Sequence, residues 1–175
     1  MSSVDIEPIT LERILEKGNL QRAFKSVVSN KGAAGVDLMK ADELEQYFRE
    51  HPFEISRKVL EGKYRPQPIK RVYIPKNNGE MRPLGIPTVL DRFVQQAVAQ
   101  VLSEEYEKLF SDNSFGFRPK RGCHDAIKRA TEYVNEGREW LIDLDLSKFF
   151  DTVNHSKLLQ LLSDVIKDGR VVSLI

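Results

Sequence analysis

The sequence predicts an α+β protein, because helical patterns fill the first 60 residues and are followed by one β-hairpin, more helices and a single strand. The hairpin is indicated by two short runs of alternating apolar and polar residues on either side of Asn78-Gly79, a strong turn signal. The strand is indicated by another alternating run, between Trp140 and Leu146. The helices are indicated by apolar residues spaced three and four positions apart.

The first 60 residues are predicted to form helices joined by short loops. A helix over residues 10–29 begins with Thr10 as its N-cap, and Gly18-Asn19 interrupts it so that Asn19 caps a second piece. The remaining elements predicted here are a glycine-containing loop at 30–37 and short helices at 42–50 and 53–60.

The middle and last parts of the chain contain the hairpin and the strand. The hairpin is expected at about residues 69–75 and 80–86, with prolines that favour exposed strand edges. A broad apolar face predicts a long helix at 88–108. The other predicted elements are helices at 123–135 and 156–167, a strand from 140, and a first helical turn over 168–175.

The composition is that of a soluble globular protein, with 41% hydrophobic and 30% charged residues among 175. No apolar run approaches the roughly 20 residues of a membrane span, and the N-terminal residues lack the layout of a secretory signal. A single cysteine, Cys123, excludes an internal disulfide and, with only three scattered histidines, a zinc site. We therefore expect a protein of the reducing cytoplasm that does not enter a membrane.

The net charge of +1 hides two basic blocks. Residues 1–56 carry ten acidic and seven basic side chains, a net of −3, whereas residues 57–82 carry eight bases against two acids. Residues 118–129 carry five bases against one acid. Clustered cations predict a polyanionic partner such as a nucleic acid, although a solvated, lysine-rich surface has the same composition.

Two aspartates stand on one side of the predicted strand. Asp143 and Asp145 are two positions apart, so both side chains project from the same face of a structure in which aspartate is uncommon. Carboxylates with apolar support suit Mg²⁺, which in two-metal phosphoryl transfer activates the attacking oxygen and stabilises the leaving one. The alternative is a solvent-exposed strand face, with Asp151 as the N-cap of the next helix.

Four segments of the chain form an ordered set of motifs. They are ILEKGNLQRAFKSVVSNKGAAGVD, GKYRPQPIKRVYIPKNNGEMRPLGIPTVLDRFVQQAVAQVL, SFGFRPKRGCHDAI and LIDLDLSKFFDTVNH. In this order they resemble the N-terminal extension, the fingers motif, the motif that follows it and the first carboxylate motif of bacterial group II intron-encoded reverse transcriptases. The resemblance implies a helical N-terminal extension at residues 1–40, fingers with a β-hairpin and packed helices at 41–138, and the beginning of a right-hand polymerase palm at 139–175.

The resemblance also implies roles for individual residues. Asp145 falls on the first catalytic aspartate and, with the backbone carbonyl of Leu146, on the ligands of the paired Mg²⁺ ions. Phe150 falls on the steric gate that favours deoxynucleotides. Lys76 and Arg82 match the residues that hold the incoming triphosphate, whose negative charge requires cations. The residues expected to contact the RNA template are Lys70, Arg71 and Arg118.

The partners and the activity follow from the same resemblance. They are an RNA template, intron RNA, a DNA primer and dNTPs, used for RNA-directed DNA synthesis with Mg²⁺. The Tyr-x-Asp-Asp motif of the family is absent from these 175 residues. We therefore expect the chain alone to be inactive, to hold Mg²⁺ weakly and to self-associate, for example as a homodimer. Two alternatives stay open, an RNA-binding maturase module without catalysis and a related bacterial reverse transcriptase of another genetic element.

Overall fold

A computed structural model describes residues 5–77 and 79–175. Its elements are α1 (Leu11–Ile14), α2 (Lys17–Asn30), a one-turn 3₁₀ helix (Ala41–Glu43), α3 (Leu44–Glu50), α4 (Glu54–Leu60), β1 (Lys70–Pro75), β2 (Met81–Ile86), α5 (Val89–Tyr106), α6 (Cys123–Asn135), α7 (Phe149–Thr152), α8 (His155–Val165) and α9 (Gly169–Leu174). Helices combined with one antiparallel hairpin confirm the predicted α+β class. No helix in these two ranges is long and apolar enough to span a bilayer.

The hydrophobic core is centred where α2 packs against α5. Thr88 caps α5 by accepting a hydrogen bond from the backbone N–H of Asp91 (3.2 Å). Burying a large apolar side chain contributes about 1.5–3 kcal/mol relative to leaving it exposed, so a continuous buried face fixes α5 in place. The buried apolar residues of this face are Val89, Phe93, Val94, Ala97, Val98 and Val101.

The N-terminal helix is interrupted, but not where the sequence predicts. Thr10 caps α1 as expected, through a hydrogen bond from the backbone N–H of Arg13, and the break follows Ile14. Asn19 lies inside α2 and is 3% exposed. Its side-chain amide donates to the carbonyls of Ile14 (2.8 Å) and Ala97 (2.9 Å). The prediction that Asn19 is an N-cap is therefore wrong, because its amide instead satisfies the end of α1 and joins it to α5.

The glycine-containing loop after α2 lies directly against the start of α5. A Cβ atom on Gly35 would lie 2.7 Å from the Cα atom of Thr88, so this close approach requires glycine. Arg92 donates to the carbonyl of Ala33 (3.0 Å), and a Cβ atom on Gly32 would lie 2.1 Å from the Arg92 guanidinium. The loop is therefore held by close backbone packing and by one arginine.

The predicted hairpin is present, and its strands begin and end within one residue of the expected positions. β1 and β2 pair in an antiparallel register that sets Lys70 opposite Ile86 and Pro75 opposite Met81. Asn78, the first residue of the predicted turn signal, lies outside the described residues. The predicted hairpin is therefore confirmed, and the helix predicted at 123–135 coincides with α6.

A buried carboxylate attaches the base of the hairpin to α5. Asp91 is 3% exposed and accepts hydrogen bonds from the hydroxyls of Tyr64 and Thr88 and from the backbone N–H of Gln67. Burial, reinforced by the hydrogen bond to this carboxylate, raises the pKa of Tyr64, so its hydroxyl remains a donor at neutral pH. The chain is therefore anchored just before it enters β1.

The strand predicted between Trp140 and Leu146 is not formed. Residues 139–148 contain neither helix nor strand, and the sheet found among the described residues consists of the hairpin alone. Trp140 and Leu144 are 95% and 88% exposed. The prediction is wrong because alternation specifies a strand only together with a partner that accepts and donates its backbone hydrogen bonds.

The last two helices return to the N-terminal end of the core. Ile166 and Val171 are buried in the same cluster as α1, α2 and α5. The regions predicted as N-terminal extension, fingers and beginning of the palm therefore contribute to one hydrophobic core. The boundaries placed after residues 40 and 138 stay predictions.

A carboxylate and an arginine connect the C-terminal helix to α1. Asp168 accepts hydrogen bonds from the backbone N–H of Leu11 (3.0 Å) and from the backbone and side chain of Arg170. Arg170 also donates to both carboxylate oxygens of Glu12 (2.7 and 2.8 Å). The hydrogen bonds from the Arg170 side chain, and then those from the backbone, hold the pKa of Asp168 well below its usual range. One carboxylate thus caps α9 and satisfies the first turn of α1.

We expect Asp168→Ala to lower the free energy of unfolding by about 2 kcal/mol, because it leaves the first N–H of α1 and one side of Arg170 without an acceptor. Asp164→Ala is the control, since Asp164 is an exposed aspartate four residues earlier. Urea unfolding at pH 7, followed by circular dichroism, measures both variants. Equal destabilisation by the two variants contradicts the capping role.

The contribution of Asp168 should also depend on pH. Its pKa is lower in the folded chain than the value of about 3.9 for an unfolded aspartate. The stabilisation is therefore complete above that value and is lost as the pH falls through the folded-state pKa. The difference in unfolding free energy between the parent chain and Asp168→Ala should shrink when the urea titrations are repeated at pH 3.

Candidate functional site

Two cations and one carboxylate lie on the same face of the hairpin. Ile74 stands opposite Arg82, and the pairing continues beyond the strands, where the backbone N–H of Lys76 donates to the carbonyl of Glu80 (2.7 Å). Directly opposite residues project from one face of an antiparallel pair, as do residues two positions apart along a strand. Lys76, Glu80 and Arg82 therefore face the same side.

The side chain of Lys76 forms an ion pair with Glu80, with Nζ 2.7 Å from Oε2. A hydrogen bond from the backbone N–H of Gly79 to the carbonyl of Lys76 (3.0 Å) closes the connecting loop. Gly79 has a φ of +83°, a conformation that favours glycine. Arg82 is exposed on β2. The tip of the hairpin thus presents one paired and one exposed cation on a single face.

The two cationic side chains of β1 that are predicted to contact the template project from opposite faces of the hairpin. Lys70 is four positions from Ile74 and so shares the face of Arg82, roughly 13 Å away at 3.3 Å per residue. Arg71 is exposed on the other face. Each face of the hairpin therefore carries one of these two cations.

Arg118 is enclosed by its own loop, the connection between α5 and α6. Its guanidinium donates to Glu107 through Nε and Nη2, and to the carbonyls of Ser111 and Ser114 through Nη1. The residue is 8% exposed. The hydrogen bond from Arg118 lowers the pKa of Glu107, which favours the ion pair. Contact with RNA would require this pair to open, so the geometry favours a role for Arg118 in positioning the loop.

An aromatic side chain of the same loop points into solvent. Phe117 is fully exposed and has a φ of +55°, in the left-handed region that non-glycine residues rarely adopt. Nearby, Arg121 pairs with Asp112 (3.1 Å) and lies over the ring of Phe115 (5.8 Å from the centroid). The loop therefore combines an exposed ring with basic side chains. The exposure of this ring is not evident from the sequence pattern.

Asp145 lies in the exposed segment 139–148. It forms no hydrogen bond or ion pair with any residue that the structure describes. Its carboxylate and the carbonyl of Leu146 are hard oxygen donors of the kind that Mg²⁺ prefers. Within the described parts of the chain, however, no three ligand-type side chains gather at one point. The donors fit Mg²⁺ in kind, but they are too few to form a complete site.

Phe150 follows on the one-turn helix α7 and is 87% exposed, with its ring 5.6 Å from that of Phe149 in an edge-on contact. Asp151 lies within α7 and does not cap the next helix. The N-cap of α8 is Asn154, whose side chain accepts a hydrogen bond from the backbone N–H of Lys157 (2.9 Å). The predicted capping role of Asp151 is wrong, because the extra turn of α7 separates it from α8.

The structure brings together some of the predicted site residues but not all. Lys76 and Arg82 share the hairpin face, whereas no hydrogen bond or ion pair joins Asp145 to either cation, all three being described residues. A joint site that includes Phe150 stays a prediction. Sequence patterns did not single out Glu80, although the Asn-Gly signal fixes the register that sets it opposite Lys76.

A helical core that presents a cationic hairpin defines a candidate polyanion-binding protein. A family model described as reverse transcriptase (RNA-dependent DNA polymerase) matches residues 74–173, which is more than half of the chain. The match covers the hairpin tip with Lys76 and Arg82 and the segment with Asp145 and Phe150. The chain belongs to the reverse transcriptase family.

Curated relatives match most of the chain. Group II intron-encoded protein LtrA of Lactococcus lactis is 38% identical over 154 residues, covering 87% of this chain and 25% of the relative. Protein YkfC of Escherichia coli is 38% identical over 162 residues, covering 89% and 42%. Nuclear intron maturase 1, mitochondrial, of Arabidopsis thaliana is 28% identical over 156 residues, covering 87% and 20%. The chain thus spans less than half the length of these relatives, and the resemblance to group II intron-encoded proteins is confirmed.

We expect Arg118→Ala to lower the melting temperature by about 5 °C, because it leaves Glu107 and two carbonyls of the loop without their donor. Arg121→Ala removes an ion pair of the same loop whose carboxylate, that of Asp112, is fully exposed, and should change the melting temperature by less than about 2 °C. Differential scanning calorimetry measures both. A larger effect of Arg121→Ala shows that the enclosed pair does not hold the loop.

Proposed function

We propose that this chain forms the nucleotide-binding and template-binding part of an RNA-directed DNA polymerase of the group II intron type. The observation that carries the proposal is the placement of Lys76 and Arg82 on one face of the hairpin, inside the region matched by the reverse transcriptase model. The names of the relatives support the intron type. The proposed partners are dNTPs, a DNA primer, an RNA template and intron RNA, with the cytoplasm as the place of action.

The hairpin is suited to hold a triphosphate by both charge and geometry. The guanidinium of Arg82 can donate two parallel hydrogen bonds to phosphate oxygens, whereas the ammonium group of Lys76 acts as a point charge. Because both residues stand on an exposed two-stranded ribbon, they can close over a nucleotide without disturbing the helical core. A triphosphate held in this way is oriented for attack on its α-phosphorus, which reduces the entropic part of the barrier.

The proposed metal-binding contribution of this chain is the carboxylate of Asp145 with the carbonyl of Leu146. Bound Mg²⁺ would lower the pKa of the attacking primer hydroxyl and neutralise charge on the leaving pyrophosphate. Phe150 would lie under the sugar, where its ring excludes a 2′-hydroxyl. The other ligands belong to a Tyr-x-Asp-Asp turn that these 175 residues lack, so we propose that the chain alone is inactive and binds Mg²⁺ weakly.

The proposed RNA contacts use both faces of the hairpin and the loop before α6. Lys70 and Arg71 would reach phosphates from opposite faces. Arg118 would act on RNA indirectly, by holding the loop in place. The exposed ring of Phe117 on that loop is suited to stack on an unpaired base.

A second candidate function is an RNA-binding maturase module without catalysis. The observation that favours it for the isolated chain is that Asp145 stands apart from any cluster of ligand-type side chains within the described residues. Binding to a nucleic acid backbone needs only the exposed cations. The exposed apolar side chains of residues 139–150 also favour association between copies, including a homodimer.

We expect Lys70→Gln to weaken binding of single-stranded RNA and to reduce the slope of log affinity against log salt by about 0.7, because one phosphate contact is lost. Lys17→Gln is the matched control, since it removes one exposed lysine at the start of α2. Fluorescence anisotropy over a series of KCl concentrations measures both. Equal slopes for the two variants contradict a template contact by Lys70.

Catalysis is tested in a longer polypeptide that includes a Tyr-x-Asp-Asp turn. We expect Asp145→Ala to reduce RNA-templated primer extension about a thousandfold or more, because the paired metal ions lose a ligand. Asp143→Ala removes a neighbouring exposed carboxylate and should retain activity within about tenfold of the parent. Primer extension that survives Asp145→Ala excludes the catalytic assignment and favours the binding module.

A further inference from the structure

The register of the hairpin places Glu80 beside the two cations that are proposed to bind the triphosphate. The backbone N–H of Lys76 donates to the carbonyl of Glu80 (2.7 Å), so the two residues stand directly opposite each other. Their side chains meet with Nζ 2.7 Å from Oε2. Arg82 is two positions further along the same face. A carboxylate is thus built into the face on which the triphosphate is proposed to bind.

The contact between Glu80 and Lys76 has the chemistry of a phosphate contact. A carboxylate oxygen 2.7 Å from an ammonium group occupies the position that a phosphate oxygen would take. Lys76 therefore gains its full interaction with phosphate only after the carboxylate has moved. The side chains are 47% and 64% exposed, so the pair contributes little to stability and the displaced carboxylate can be hydrated again.

We infer that Glu80 is an internal competitor for the phosphate site, holding Lys76 when no nucleotide is bound and giving way to the incoming triphosphate. The inference rests on the proposed function of the hairpin. Competition of this kind lowers the affinity for every phosphate ligand by the same factor. Weak ligands such as inorganic phosphate are then kept off Lys76, whereas a triphosphate that also engages Arg82 still binds. Glu80 thus raises the ligand concentration that is needed to occupy the site, without changing the ratio of affinities between phosphate ligands.

Glu80→Gln tests the inference, because it keeps the shape of the side chain and removes its charge. Removing an exposed ion-pair partner should increase the affinity for inorganic tripolyphosphate about twofold to fivefold. The effect should be largely lost when Lys76 is already replaced by Gln, since the carboxylate then has no ammonium group at position 76 to cover. Amide NMR titration of the 175-residue chain, read at Gly79 and Met81, measures the affinity.

Glu61→Gln is the control for a general effect of charge. Glu61 is exposed and pairs with Lys63 (2.9 Å), so this variant changes the net charge equally at a site away from the hairpin. It should leave the affinity for tripolyphosphate unchanged. If Glu61→Gln strengthens tripolyphosphate binding as much as Glu80→Gln does, the inference is overturned, because the gain then comes from net charge alone.

The Lys76→Gln variant separates the inference from the proposed function. Weaker tripolyphosphate binding by Lys76→Gln, together with stronger binding by Glu80→Gln, supports both. If Lys76→Gln weakens binding but Glu80→Gln leaves it unchanged or weaker, competition by Glu80 is excluded while the proposed phosphate site stands. If Lys76→Gln has no effect, the proposed role of the hairpin fails, and the inference fails with it.

Discussion

The position of the hairpin depends on one buried carboxylate at the start of α5. Asp91 accepts hydrogen bonds from Tyr64, Thr88 and the backbone of Gln67, and so fixes the segment that leads into β1 relative to the longest helix. An unpaired buried carboxylate would be costly, and its three donors therefore have little freedom to move independently. The exposed cations of the hairpin stand on a ribbon whose base is tied to the core at this point.

A second set of polar contacts joins the C-terminal helix to the N-terminal helix. Asp168 and Arg170, close to the C-terminal end, bond to the first turn of α1, while Ile166 and Val171 fill the cluster beneath. The first and last helices therefore support each other, and α5 is enclosed from both ends of the chain. The exposed segment that carries Asp145 connects α6 to this anchored region. Between this segment and the buried Ile166 lie α7 and α8, whose residues are mostly exposed, so the core holds the chain only beyond α8.

Sequence patterns predict the parts of this molecule that local interactions determine. The hairpin follows from alternation and an Asn-Gly turn, and α5 follows from its apolar face, so both agree closely with the structure. The strand at 140–146 depends on a partner, and its alternation alone was insufficient. Asn19 is a residue type common at N-caps, but it is buried between three helices, where its amide donates to backbone carbonyls instead. The placement of site residues could be predicted where they share one strand face. The enclosure of Arg118 could not be predicted, because it depends on a partner eleven positions away.

The contact between Gly35 and Thr88 makes the loop after α2 unevenly tolerant of sequence change. A side chain at position 35 would act as a wedge beneath the cap of α5 and shift the turn that contains Asp91. The next residue, Val36, is 43% exposed and has no comparable constraint. A methyl group at position 35 would therefore press on the backbone of Thr88, whereas one at Gly32 would meet only the end of the Arg92 side chain, which can move aside.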